Sequence, residues 1–73
     1  MKIFSITHDK WGYDCYSGHI IVANNEIEVR ELAKKGSADE GNDIWDVATV
    51  TIEGDYTGNK TEPFKLLSDF NAG

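Results

Sequence analysis

The residues best able to do chemistry in this chain stand close together. Thr7 to His19, THDKWGYDCYSGH, holds two histidines, one cysteine, two aspartates, two tyrosines and a tryptophan. A thiol becomes a working nucleophile when a base lies within hydrogen-bond reach, and Cys15 has His8 and His19 as its nearest imidazoles in sequence. On a strand, residues four apart face the same way but stand roughly 13 Å from each other, too far for Cys15 and His19 to share a proton. His8 would have to approach from a neighbouring strand, near Asp14 or Cys15. A nucleophile also needs a third group to orient its base and a site for the oxyanion, and the sequence supplies neither. The expectation is a protein that is not an enzyme, with Cys15 serving as a small apolar strand residue.

Metal and cofactor chemistry find equally little support. Zinc sites are built from close pairs of cysteine or histidine. The run Asp39-Glu40-Gly41-Asn42-Asp43 offers hard oxygens, but not the alternating ligands closed by a distant glutamate that calcium loops use. It reads as a solvated acidic loop. No glycine-rich phosphate loop or nucleophile elbow is present. No cofactor is expected.

The aromatic and acidic residues point instead toward partners. Trp11, Tyr13 and Tyr16 cluster in and after a first turn, and Trp45 precedes a later strand. Exposed tryptophan and tyrosine are rich in binding energy; buried, the same rings extend the core of a small domain. Both readings stand. The acidic residues Asp39, Glu40, Asp43, Asp46, Glu53 and Asp55 come with no lysine or arginine among them. On one surface they would imitate nucleic acid phosphates and occupy a cationic groove. Trp11, Tyr13, Tyr16, Trp45, Asp39, Glu40, Asp43, Phe70 and Gly73 are the candidate partner-binding residues.

Elements that would position these groups follow from periodicity. Residues 2–9 alternate as a strand, and residues 13–23 resume extended structure, with Ile20, Ile21 and Val22 as the strongest strand formers. Lys10-Trp11-Gly12 reads as the turn of an antiparallel hairpin, with Gly12 supplying any positive φ. A helix over 26–35 is expected, capped by Asn25 with Glu28 closing a capping box. Its glutamates favour the N-terminal half, Lys34 and Lys35 the C-terminal half, and Gly36 the stop. Val29, Leu32 and Ala33 share its inward face, while Ile27 points away. Residues 37–43 form a polar loop. Residues 47–53 and 64–70 are the remaining strands, Pro63 standing at the start of the last. Phe64, Leu66 and Phe70 fall at period two, so Phe70 would anchor in the core and Asn71, Ala72 and Gly73 would emerge as a short end. The expected fold is α+β: one domain over 1–73, order β-β-α-β-β, an antiparallel four-stranded sheet with one helix on one face. Sheet order 2-1-3-4 satisfies every antiparallel pairing.

Composition bounds the rest. Seventy-three residues with 40% hydrophobic content and one proline support a single small core. One cysteine cannot form an internal disulfide, and no apolar run approaches the roughly 20 residues of a membrane helix. The opening MKIFSITHDK lacks the apolar stretch of a signal peptide. The expected location is the cytoplasm, where the acceptor pattern Asn59-Lys60-Thr61 would never be glycosylated. A formal net charge of −6 repels phosphates and anionic lipid. Direct nucleic acid or membrane binding is not expected; protein partners are, with the chain a monomer or weak dimer.

Several segments together carry a resemblance: MKIFSIT, then WGYDCYSG, IIVA, NNEIEVRELA, a tryptophan in a polar loop, and the terminus SDFNAG. The chain resembles a group of small proteins encoded by tailed bacteriophages and prophages, which share a WGYDxY-like stretch, an apolar strand ending in alanine, a glutamate-rich helix and a terminal FNAG. Its loop after the helix is shorter and poorer in aromatics. The resemblance implies a phage origin and no catalytic or cofactor residues. By analogy with accessory phage proteins it also implies a host protein as partner, CRISPR-type defence complexes among the candidates. A nucleic acid mimic and a minor virion component are the other roles weighed.

Overall fold

The structure is a computed structural model that describes residues 1–10 and 12–72. Trp11 and Gly73, two of the candidate residues, lie outside them. The elements run β1 (Lys2–Thr7), β2 (Cys15–Ala23), α1 (Glu26–Lys34), a one-turn helix α2 (Ile44–Val47), β3 (Thr49–Asp55) and β4 (Phe64–Asn71). All pairings are antiparallel, so the fold is α+β with one main helix, as expected.

The strand order differs from expectation. It is β3-β1-β2-β4, not 2-1-3-4: β1 does pair with both β2 and β3, but β4 flanks β2 rather than β3. The reason lies in β2. Ile21, Val22 and Ala23 are all fully buried, and a continuous buried apolar run suits an inner strand flanked on both edges. β3 carries Thr49, Thr51, Glu53 and Asp55, suited to an edge. The chain therefore crosses from β3 to β4 past the ends of β1 and β2. Tyr56 secures that crossing, its N–H donating to Met1 O at 3.2 Å and its ring packing edge-on against Phe64.

Three bulges adjust the register. Glu53 is left over where Ile3 meets Gly54 and Phe4 meets Ile52. Ser17 is left over where Tyr16 meets Phe70 and Gly18 meets Asp69, and Leu66 where Ile20 meets Leu67 and Ile21 meets Lys65. Each bulge flips the alternation beyond it. The period-two reading of Phe64, Leu66 and Phe70 breaks at Leu66 for this reason.

Phe4 and Ile6 of β1 and Ile21 and Ala23 of β2 form one face of the sheet, against Val29 and Ala33 of α1 and Trp45 of α2. α1 is held as its sequence demands. The Glu28 N–H donates to Asn25 Oδ1 at 3.0 Å, while the Glu28 carboxylate reaches back to the Asn24 N–H at 2.8 Å. The C-cap Lys35 N–H bonds Leu32 O, and Gly36 follows at φ 72°. Ile27 points outward. In the hairpin connection Asp14 takes the left-handed conformation, at φ 55°.

Candidate functional site

The hairpin does not assemble a thiol–imidazole pair. The Cys15 thiol donates to Tyr13 O at 3.3 Å, and among the described residues no hydrogen bond joins it to an imidazole. His8 is spent on the backbone. Its Nδ1 accepts from the Lys10 N–H at 3.1 Å, which leaves Nε2 to donate to Tyr16 O at 2.7 Å.

What the hairpin does assemble is a row of rings. His8 meets Trp45 edge-on at 4.9 Å, Trp45 meets His19 at 4.9 Å, His19 meets Tyr16 at 5.0 Å, and Tyr16 meets Phe70 edge-on at 4.8 Å. The bulge at Ser17 makes this possible by setting Tyr16 and His19 on the same face. His19 is 3% exposed. Its Nδ1 lies 2.7 Å from Ser68 Oγ, and its Nε2 has no hydrogen-bond partner. Burial, followed by the charge of Lys65, pushes its pKa down to about 4; Glu40 opposes this and His8 adds to it. His19 is therefore a neutral core residue near pH 7.

Glu40 closes the other side of the row. Its carboxylate accepts from the Tyr16 N–H at 3.0 Å, the Ala38 N–H at 3.2 Å and the Trp45 Nε1–H at 3.2 Å. Burial raises its pKa, but the N–H donors of Tyr16, its own backbone, Trp45 and Ala38 together outweigh that and hold it below the ordinary glutamate value. One side chain thus ties the 37–43 loop to β2 and α2.

This geometry corrects several expectations. Trp45 is not on a binding surface. α2 turns Ile44 and Trp45 inward and Asp46 and Val47 outward, so the indole is fully buried. Glu40 is a structural acceptor rather than a surface charge. Phe70 does not anchor in the core; it is 44% exposed and leans on Tyr16. Asn71 does not emerge from the fold, because its O accepts from the Asp14 N–H at 2.6 Å and its side chain donates to Cys15 O at 3.4 Å. Tyr16 is half-buried, with the Lys65 ammonium 5.9 Å from its ring centre. Tyr13 is 78% exposed. Asp39 and Asp43 are exposed.

The acidic residues do not share one surface. Asp39 lies beside Asp14, its N–H donating to Asp14 O. Asp55 lies at the opposite end of the sheet, where Lys2 pairs with it. Asp46 pairs with Lys34 at 2.5 Å, and Glu53 accepts from Ser5 Oγ at 2.6 Å.

Two surfaces take shape only in the folded chain, the first around the candidate residues Tyr13 and Phe70. One is the outer rim of β4, where Leu66 and Phe70 are exposed and Tyr13, Phe70 and Ala72 line a common hollow. The other is the face of the sheet turned away from the helices. There Ser5, Thr7, Gly18, Ile20, Leu67 and Asp69 surround a shallow depression of about 380 Å³. The bulge at Leu66 brings Leu67 to this face, and no local sequence signal marks that shift.

No protein-family model, curated protein or solved structure matches the chain. Among the described residues no group of histidine, cysteine, aspartate and glutamate is arranged to hold a metal ion, and no helix is long and apolar enough to cross a membrane.

Proposed function

We propose that this chain is a small phage-encoded, non-enzymatic protein that binds a host protein, as an inhibitor of a host defence complex. The origin rests on the resemblance carried by WGYDCYSG, the glutamate-rich helix and the FNAG terminus. The observation that carries the binding role is the rim of β4. It is an edge strand of the sheet, it displays Phe70 beside the 78% exposed Tyr13, and it exposes Leu66 further along. Exposed apolar side chains gathered on a sheet edge are what a binding surface requires. The nucleic acid mimic needs its carboxylates on one surface. Here they are divided between two ends of the sheet, and Glu40, Asp46 and Asp55 are already engaged. The divided and engaged carboxylates favour a host protein over a nucleic-acid site as the partner.

Affinity capture from host lysate tests it, with the tag on the N-terminus and nuclease present, at low and moderate salt. One host protein should be retained at both salt levels. Tyr13→Ala and Leu66→Ser should lose it while melting at the parent temperature. Capture that vanishes at moderate salt would favour the mimic, and no captured protein at either salt level would refute the binding role.

A further inference from the structure

The helices of this molecule all lie on one side of its sheet. α1 and α2 pack against Phe4, Ile6, Ile21 and Ala23. The alternate residues, Ser5 and Thr7 of β1 and Ile20 of β2, face the other way, around the depression completed by Gly18, Leu67 and Asp69. Nothing else in the chain covers the middle of that face among the described residues; the 56–63 connection crosses only its end, where Tyr56 meets Phe64 and Lys60 sits 5.1 Å from the Phe64 ring centre.

The floor of the depression is kept low by Gly18. A Cβ there would stand 3.0 Å from both Ile6 O and Thr7 Cγ2, so a side chain would need β1 to give by a few tenths of an ångström. Its apolar contact comes from Ile20, half-buried, and Leu67, 67% exposed. Carboxylates stand on both sides of it, Asp69 in its lining and Glu53 one strand beyond Ser5, on β3. Glu53 on β3 is oriented by Ser5 Oγ at 2.6 Å, and Asp69 on β4 by Ser17 Oγ at 3.0 Å. β3 and β4 are the two edges of the sheet, three strand spacings apart, or about 14 Å.

We infer that this open face docks a basic amphipathic helix of the partner protein, its apolar stripe on Ile20 and Leu67 and its lysines or arginines reaching Glu53 and Asp69. The inference rests on the protein-binding reading above and names the partner's chemistry. Size agrees, since a helix with its side chains is about 10–12 Å across and fits within the spacing of the two edge strands. Charge decides between occupants. A second copy laid face to face would set carboxylates against carboxylates, in a chain of net charge −6. Nucleic acid would bring phosphates to the same carboxylates. A helix with an apolar stripe flanked by cations satisfies both the apolar floor and the carboxylates on either side.

A synthetic helix of leucine and lysine at amphipathic spacing is the probe, with a scrambled peptide of identical composition as control. Amide shifts of the full chain locate the contact. The amphipathic peptide should shift Ser5, Thr7, Gly18 and Ile20 and bind about tenfold more tightly than the scrambled one. The double variant Glu53→Gln/Asp69→Asn should weaken it about fivefold, and Leu67→Ser about tenfold. Equal binding of both peptides, shifts centred on Asp39 and Asp43, or no binding would overturn the inference. Host capture that survives these three substitutions but is lost in Tyr13→Ala would overturn it too, leaving the binding role intact. Peptide docking as described, with no host protein captured, would support the open face and remove the host-protein reading.

Discussion

Replacing Glu40 with alanine removes the one acceptor shared by Tyr16, Ala38 and Trp45. The three donors will not suffer equally. The Ala38 N–H is in a partly exposed loop, where water can take the place of the carboxylate. The Tyr16 N–H is intermediate. The Trp45 indole is fully buried, so its N–H would be left without a partner. An orphaned buried donor costs about 1–3 kcal/mol. Taking about 2 kcal/mol for the indole and about 1 kcal/mol for the two backbone donors together gives a loss of about 3 kcal/mol. A 73-residue domain has a total stability of about 4–11 kcal/mol. At about 4–8 °C per kcal/mol, Glu40→Ala should melt about 12–24 °C below the parent, followed by circular dichroism. Glu40→Gln keeps a carbonyl acceptor for one donor and should fall between the two. Urea unfolding should lower the midpoint with an unchanged slope. An alanine variant melting within about 2 °C of the parent would show that the carboxylate binds the three segments together only nominally. The reading of Glu40 as structural rather than partner-binding would then be wrong.

Three further outcomes follow from the same packing. His19 has its pKa lowered from 6.5 to about 4 in the folded state, so between those values the unfolded chain binds more protons; stability should fall by about 3 kcal/mol as pH drops through that window, and a slope persisting in His19→Phe would assign it to other groups. Glu40, also lowered, extends the loss below pH 4.5 as its carboxylate is protonated. Gly18→Ala should cost about 1–3 kcal/mol in urea unfolding, because its Cβ meets Ile6 O and Thr7 Cγ2 at 3.0 Å; an unchanged midpoint would mean that β1 yields freely. Trp45→Ala should cost about 3–5 kcal/mol and Tyr13→Ala no more than about 0.5 kcal/mol, so equal losses in thermal melts would contradict the assignment of one ring to the core and the other to the surface.

Local chemistry determined much of this protein in advance. Asn25 and Glu28 start α1, Gly36 ends it, and Val29 with Ala33 aims it at a sheet; each depends on neighbours within one or two turns. Alternation located all four strands to within two residues at either end. Strand order was not legible in the same way, because pairing is a competition between distant segments; the apolar run Ile20 to Ala23 marked β2 as an inner strand, yet which strand would cover its second edge depended on β4 finding it. The bulges at Ser17, Glu53 and Leu66 were also invisible, since each is an accommodation between two strands rather than a property of one. They decide the faces of Tyr16 and Leu67, and with them both candidate surfaces. Trp45 and Glu40 make the same point at the level of side chains. In sequence they are an exposed-looking ring and one carboxylate in an acidic loop. Only the folded chain brings the indole under His8 and His19 and gives the carboxylate three N–H donors. Burial and electrostatics depend on what stands nearby in space, and for these residues nearly all of it comes from elsewhere in the chain.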